Sequence, residues 1–299
     1  MNVVVRADAS LDIGSGHLMR CLTLADQLRS EGTEVAFICC DLPGEMFDLL
    51  HNRGYRFSKL PLDKAGKNSQ QFDAEQTIKA AGKLFSGIVD WLVVDHYQLD
   101  AAWERLLRPH VCNLMVIDDL ADRKHDCDVL LDQNLHRVEM ETRYDKLILP
   151  NCKKLLGPKY ALLRPEFKEA RSELKVRDGS VKRIFVFFGG SDSKNGTAKA
   201  LRAIQQIVSA DIAIDVVVGS TNPHLEDIAG LCSVLPDAKL HLQINNIAEL
   251  MSSGDLSVGA GGATTWERMC LGLPSIVMSV ADNQRTVSDG LAQADLIEY

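Results

Sequence analysis

Short apolar runs alternate along the chain with stretches in which apolar residues recur every three or four positions. Val3–Val5 is a continuous run of the kind that fills a buried strand. Leu18, Cys21, Leu22, Ala25 and Leu28 follow at helical spacing, and Glu31-Gly32 closes that helix with glycine at the expected stop. Val35–Cys40 predicts the next strand, Met46–Leu50 a short helix broken by Gly54, and Tyr55–Leu60 a third strand. Residues 61–71 are polar and loop-like. Ala74–Phe85 reads as a helix, Trp91–Asp95 as a strand with an acid at its C-terminal end, Ala101–Leu107 as a helix and Leu114–Ile117 as a strand. This rhythm predicts a mostly parallel sheet with helices on both faces.

The pattern breaks at residues 164–183, which are highly charged and poor in apolar side chains. A helix and then a domain boundary are expected there, giving a first domain over 1–175 and a second over 176–299. The rhythm restarts with Ile184–Phe188 and continues through Ile212–Val218, Leu240–Gln243, Leu256–Val258 and Ser275–Met278, with helices between. The fold expected is α/β, two doubly wound Rossmann-like domains facing a central cleft, with ligands beyond the C-terminal strand ends.

Composition narrows the choice of partner. The 299 residues carry 33 Lys plus Arg against 41 Asp plus Glu, a formal net charge of −8. Bulk-charge nucleic-acid binding and a polybasic membrane anchor are both disfavoured. No apolar run approaches the ~18 residues of a membrane span, and the opening Met1-Asn-Val-Val-Val-Arg lacks the pattern of a secretory signal. A cytoplasmic protein is expected. The 8 cysteines form no C-x-x-C pair and read as buried core thiols in a reducing compartment. Apart from His17, the histidines (51, 96, 110, 125, 136, 224 and 241) show no metal-ligand spacing and read as structural or exposed. Neither a metal nor a cofactor is expected.

Candidate chemistry lies where strands run into glycine-rich turns. Arg6-Ala-Asp-Ala-Ser-Leu-Asp-Ile-Gly14-Ser-Gly16-His17 follows the first strand and opens a helix. Its glycines suit either close approach of a phosphate or a plain tight turn. Met19 occupies the last glycine position of G-x-G-x-x-G, so a dinucleotide fold loses support. His17 falls in the first helical turn, where the positive dipole end disfavours an imidazolium. It is read as a general base or as a helix-terminus histidine bonded to nearby backbone. Asp95-His96-Tyr97 and Ile117-Asp118-Asp119 end two strands. Tyr97 is favoured as a substrate contact, whereas Asp118 and Asp119 serve equally as contacts or helix caps.

In the second half, Gly189-Gly190-Ser191-Asp192 leaves a strand for a helix starting near Asn195 and forms another anion-binding turn. Gly259-Ala-Gly261-Gly262-Ala263-Thr264-Thr265-Trp-Glu267 combines small residues, two hydroxyls and an acid at a strand-to-helix junction, which suits a diphosphate. Glu267 suits the hydroxyls of a ribose, or compensates the helix dipole. Ile244-Asn-Asn could offer backbone groups to a flat base, and Asn283-Gln284 starts a helix directed at the same cleft.

Together these blocks resemble the UDP-sugar hydrolases of pseudaminic acid biosynthesis, the UDP-2,4-diacetamido-2,4,6-trideoxy-β-L-altropyranose hydrolases. The matching segments are Arg6–Ser10, Ile13–Leu22, Val94–Tyr97, Ile117–Leu120, Leu156–Phe167, Gly189–Asp192, Gly261–Arg268 and Ala281–Gln284. The resemblance implies a GT-B fold and metal-independent, inverting hydrolysis of the bond between UDP and the anomeric carbon. It implies His17 as the water-activating base, with Asp8, Tyr97, Asn283 and Gln284 toward the sugar. It implies UDP contacts from Gly14, Gly16, Gly190, Ser191, Asp192, Ile244, Gly261, Gly262, Ala263, Thr264, Thr265 and Glu267. A UDP-sugar substrate and a monomer are expected. GT-B chains usually run on past the Asn-Gln helix and cross back to the first domain; with Tyr299 as the last residue, a cut chain or a short second domain is expected. A transferase of the same fold and a non-catalytic nucleotide-sugar binding module are the rival readings.

Overall fold

The computed structural model describes residues 1–9, 16–42, 47–62, 69–136, 140–207, 211–220 and 222–299. The chain divides into two compact units, Met1–Leu162 and Leu163–Tyr299.

In the first unit, β1 (Asn2–Ala7), α1 (Gly16–Ser30), β2 (Glu34–Cys40), α2 (Phe47–Asn52), β3 (Arg56–Leu60), α3 (Gln70–Leu84), β4 (Val89–Asp95), α4 (Ala101–Leu107) and β5 (Val111–Ile117) alternate as predicted. Two further short strands, β6 (Val129–Asp132) and β7 (Lys153–Leu156), follow without a sequence forecast. The seven strands are parallel in the order β3-β2-β1-β4-β5-β6-β7. Strand side chains alternate between two apolar layers. Val3, Val5 and Ala7 pack with Leu18, Cys21 and Leu22 of α1, while Val4 packs on the opposite face with Trp103 and Leu107 of α4. Both faces are covered, which is why these strands read as continuous apolar runs.

The second unit contains α5 (Pro165–Ser172), β8 (Arg183–Phe187), α6 (Gly196–Ile207), β9 (Ala213–Val218), α7 (Leu225–Val234), β10 (Ala238–Leu242), α8 (Ile247–Ser253), β11 (Leu256–Ala260), α9 (Thr264–Cys270), β12 (Ser275–Met278) and α10 (Asp282–Ala292). Its five parallel strands run β10-β9-β8-β11-β12. The boundary expected at 175/176 lies instead at 162/163. The charged segment misled because one aromatic outweighs its polar neighbours: Phe167 of α5 is fully buried with Phe185, Met251 and Leu271 of the second unit. Beyond α10 the chain returns to the sheet rim. Glu298 forms a parallel bridge with Ile276, its N–H donating to Ser275 O (2.9 Å) and its carbonyl accepting from Val277 N (2.7 Å).

Among the described residues no helix is long and apolar enough to cross a membrane. All eight cysteines are free; six are buried as expected, Cys270 is half-buried and Cys112 is exposed.

Candidate functional site

The strand order reverses between β1 and β4 in the first sheet and between β8 and β11 in the second. Connections leave such neighbours in opposite directions and open a crevice beyond their carboxyl ends. His17 follows β1 and Asp95 ends β4; Gly189–Asp192 follow β8, and Gly259–Gly262 lie at the end of β11.

At the first reversal, the buried His17 ring turns Nδ1 onto Asp95 Oδ1 in a very short contact. Arg20, one turn along α1, grips the same carboxylate with Nε on Oδ2 (2.5 Å) and Nη2 on Oδ1 (2.6 Å). Burial opposes charge on Asp95, but Arg20 and then His17 hold its carboxyl well below the usual range. An ionised Asp95 only accepts, so His17 Nδ1 donates to it, and in the neutral imidazole Nε2 is then the nitrogen that carries the lone pair. Arg20 Nη2 also lies 3.3 Å from Nδ1, but its shorter bond is to the carboxylate. Tyr97 stands edge-on to the imidazole, 4.4 Å between centroids at 79°. The sequence pointed to the helix end as the influence on His17; Asp95 is the partner that fixes its tautomer.

The surrounding acids divide by role. Asp119, left open by the sequence, accepts from Arg20 Nη1 (3.3 Å) and Asn134 Nδ2 (3.4 Å), which ties it to the His17 cluster. Asp118 is fully buried, accepting from Ala121 N (2.9 Å) and Tyr144 OH (3.0 Å) beside Arg123 (2.8 Å), a structural assignment. Asp8, expected toward the sugar, is buried with both oxygens engaged. Oδ1 takes Arg6 Nη1 (2.5 Å) and Cys40 N (2.7 Å), and Oδ2 takes Arg6 Nη2 (3.0 Å) and faces His96 Nε2 (3.2 Å). The need to neutralise a fully buried Arg6 explains that diversion, and Asp73 shares the task at 2.7 Å. Gly16 opens α1, whereas Gly14 lies outside the described residues.

At the second reversal the first turn is not an open anion cradle. Asp192, at φ 38°, caps α6 with its own carboxylate, Oδ1 accepting from Gly196 N and Oδ2 from Thr197 N, both at 2.8 Å. The helix amides offered to UDP by the sequence reading are therefore occupied by Asp192. Gly190 O accepts from Gly219 N (3.0 Å), and a Cβ on Gly219 would come within 2.5 Å of that oxygen. Ser191 beside it is half-buried.

The turn after β11 is tighter. A Cβ on Gly259 would overlap Phe187 O, and one on Gly261 would overlap Ser288 Oγ. Thr265 N donates to Gly262 O (2.9 Å) and Trp266 N to Ala263 O (3.1 Å) as α9 begins. Ala263 is exposed and Thr264 half-buried, but Thr265 turns inward and accepts Arg268 Nη2 at 3.0 Å. Glu267 Oε1 accepts from Arg164 Nη2 (2.9 Å) and Nε (3.2 Å), while the buried Oε2 has no partner. Burial pushes the Glu267 carboxyl above its ordinary range against the pull of Arg164. Gln284 accepts from Val280 N (3.0 Å) and lies alongside Gly261 and Gly262; Asn283 is exposed at the start of α10. The Ile244 side chain packs on the Phe185 and Met251 core. Sequence reasoning thus missed Arg20, Arg164 and Arg268. All three lie inside the matching segments, Arg20 and Arg268 one helical turn from His17 and from the threonines and Arg164 within Leu156–Phe167.

No family model matches the chain. The UDP-2,4-diacetamido-2,4,6-trideoxy-β-L-altropyranose hydrolase of Campylobacter jejuni is 25% identical over 300 residues, covering 100% of this chain and 99% of that protein. MurG of Acinetobacter baumannii matches with a TM-score of 0.62 at 15% identity, over 99% of this chain and 85% of that one. MnaA of S. aureus, in its UDP co-structure, matches with a TM-score of 0.63 at 10% identity, over 100% and 83%. At such identities the structural likeness establishes the fold, two doubly wound α/β units of the GT-B class. In sequence the chain resembles from end to end the UDP-2,4-diacetamido-2,4,6-trideoxy-β-L-altropyranose hydrolase, and it carries that resemblance on a GT-B fold.

Proposed function

We propose that the protein is a UDP-sugar hydrolase that releases UDP and free sugar, with a diacetamido-trideoxy sugar as its substrate class. The observation that carries this reading is the His17–Asp95 pair, which engages Nδ1 of a buried imidazole at a strand-order reversal; we assign the base to Nε2, the other ring nitrogen. The end-to-end similarity to a hydrolase of that substrate supports the choice of reaction.

In this reading Nε2 takes a proton from water, and the water oxygen bonds to the anomeric carbon. The bond from that carbon to the UDP oxygen breaks, and UDP leaves with the electron pair. Hydrogen-bond donors aimed at the departing charge lower the barrier. The turn at Gly261–Thr264 is assigned to the diphosphate, and the unpartnered Oε2 of Glu267 to a ribose hydroxyl. Tyr97, stacked edge-on to His17, and Asn283 are assigned to the sugar. Asp8 serves through Arg6 and His96, not by direct contact.

Incubation with the UDP-sugar and no acceptor tests the reaction: free sugar supports hydrolysis, intact substrate supports a transferase or a binding module. His17→Gln keeps a side chain of similar reach but provides no base near neutral pH. We expect kcat to fall about 10²–10⁴-fold with UDP affinity retained. Near-normal kcat would reduce His17 to a structural role.

A further inference from the structure

Arg268 is an electrostatic anomaly. Its side chain is 1% exposed, yet it forms no ion pair among the described residues. Nη2 donates to Ala260 O (2.9 Å) and Thr265 Oγ1 (3.0 Å), while Nε and Nη1 are buried without a partner. The neighbouring Glu267 is committed to Arg164. Burial brings the guanidinium down to about 10, with only Glu267 pulling the other way. Arg6, the other fully buried arginine among the described residues, is neutralised by Asp8 and Asp73 at 2.5 and 2.7 Å.

Its position gives the anomaly a meaning. Nη1 lies 2.9 Å from where a Gly259 Cβ would stand, so the guanidinium is wedged beneath the strand-end glycine. Its Nη2 holds the carbonyl of the next residue, Ala260, and Gly261 and Gly262 follow in the chain. Three further buried polar atoms lack partners on the strand and helices next to the turn: Ser257 Oγ on β11, Glu267 Oε2 on α9 and Ser288 Oγ on α10, the last against Gly261. A buried unpaired charge is strongly unfavourable unless something answers it.

We propose that Arg268 is a positioning residue of the UDP subsite, holding the Ala260 carbonyl and the Thr265 hydroxyl from beneath the glycine turn, and that the diphosphate of the ligand answers its charge. The proposal rests on the assignment of that turn to UDP. It adds a cation that acts from below, through a low-dielectric layer, without touching the ligand. Charge felt at such range is a matter of sign and separation, so the neutral nucleoside is blind to it.

Calorimetry with UDP and with uridine, on wild-type protein and on Arg268→Gln and Arg268→Lys, tests it. Glutamine keeps a donor for the Ala260 carbonyl but removes the charge. We expect Arg268→Gln to weaken UDP about tenfold or more and to leave uridine unchanged, while Arg268→Lys weakens UDP less than glutamine does. Unchanged UDP affinity in Arg268→Gln overturns the proposal, as does an equal loss for UDP and uridine, which marks a purely structural arginine. If the glutamine variant does not fold, Arg268→Lys decides: it must bind UDP more weakly than wild type while binding uridine as wild type does, and an equal change for both ligands, or none, overturns the proposal. Wild-type protein that binds neither ligand removes the UDP assignment itself, and the proposal falls with it.

Discussion

Asp95 and His17 meet across the first strand-order reversal, the carboxylate ending β4 and the imidazole opening α1, with Arg20 closing on the carboxylate from the next helical turn. The acid is held ionised and the ring is held by one nitrogen. Asp95→Asn keeps the shape but loses the obligatory acceptor, so the ring is free to take the other tautomer. We expect kcat to drop by about 10²-fold or more, with UDP affinity within a few-fold of wild type. Steady-state kinetics alongside calorimetry checks this; unaltered kcat would detach Asp95 from the chemistry.

The acid limb of stability carries the signature of the same carboxylates. Asp8 and Asp95 both sit well below the ordinary range; burial opposes their charge, but Arg6 and His96 outweigh it at Asp8, and Arg20 and His17 at Asp95. A folded-state pKa below the unfolded value of about 3.9 contributes stability that is complete above that value. The contribution is lost as pH falls toward the folded value. The melting temperature should therefore be level from about pH 7 to 5 and fall steeply below about pH 4. Asp8→Asn should start lower and fall less steeply over the same acid range. An equal slope would remove Asp8 from the linkage.

Glu267→Ala should weaken UDP more than it lowers kcat. A ribose contact far from the breaking bond acts alike in the ground and transition states. The substitution also takes the Oε1 partner from Arg164, leaving it only Glu166 at 3.0 Å, so Glu267→Gln is the companion variant. UDP affinity unchanged in both would return Glu267 to the service of Arg164 and the helix end.

A single displacement by water inverts the anomeric centre and puts water oxygen into the sugar. With ¹⁸O-labelled water, label should appear in the sugar and not in UDP. Early proton NMR, before mutarotation, should show inverted configuration. Label in UDP, or retention, would demote His17 from water activation, because retention needs a nucleophile and two displacements.

Gly261 and Ser288 are coupled sterically. A Cβ on Gly261 overlaps Ser288 Oγ, an oxygen with no partner of its own. Gly261→Ala should cost about 1–3 kcal/mol, and adding Ser288→Ala should recover much of it. Thermal melts of the two single variants and the double check the coupling; strict additivity would mean that the strain lies in the backbone.

The alternation of strands and helices was legible because parallel strands covered on both faces must be apolar throughout, as Val3–Val5 and Val35–Cys40 are. Strands β6 and β7 escaped because each spans four residues, and Lys153-Lys154 places charge on an edge strand. The domain boundary was misjudged because composition averages over a segment, whereas packing turns on one side chain, Phe167. In the site, turn-forming glycines and a helix-opening histidine announce themselves locally. The partner that orients His17 lies 78 residues away in sequence, and only the strand order brings it alongside. The capping of α6 by Asp192 depends on a backbone turn that composition does not encode.

The bridge between Ile276 and Glu298 bears on solubility. β12 is the outermost strand of its sheet, and an uncovered outer strand is a template on which another chain can add. The backbone of Glu298 occupies the Ser275 carbonyl and the Val277 amide on that rim, so an intruding strand finds those positions filled. Ile276, 44% exposed between them, is the apolar side chain such an intruder would otherwise bury. The Glu298 backbone thereby covers part of the β12 edge, apart from anything that happens at either glycine turn.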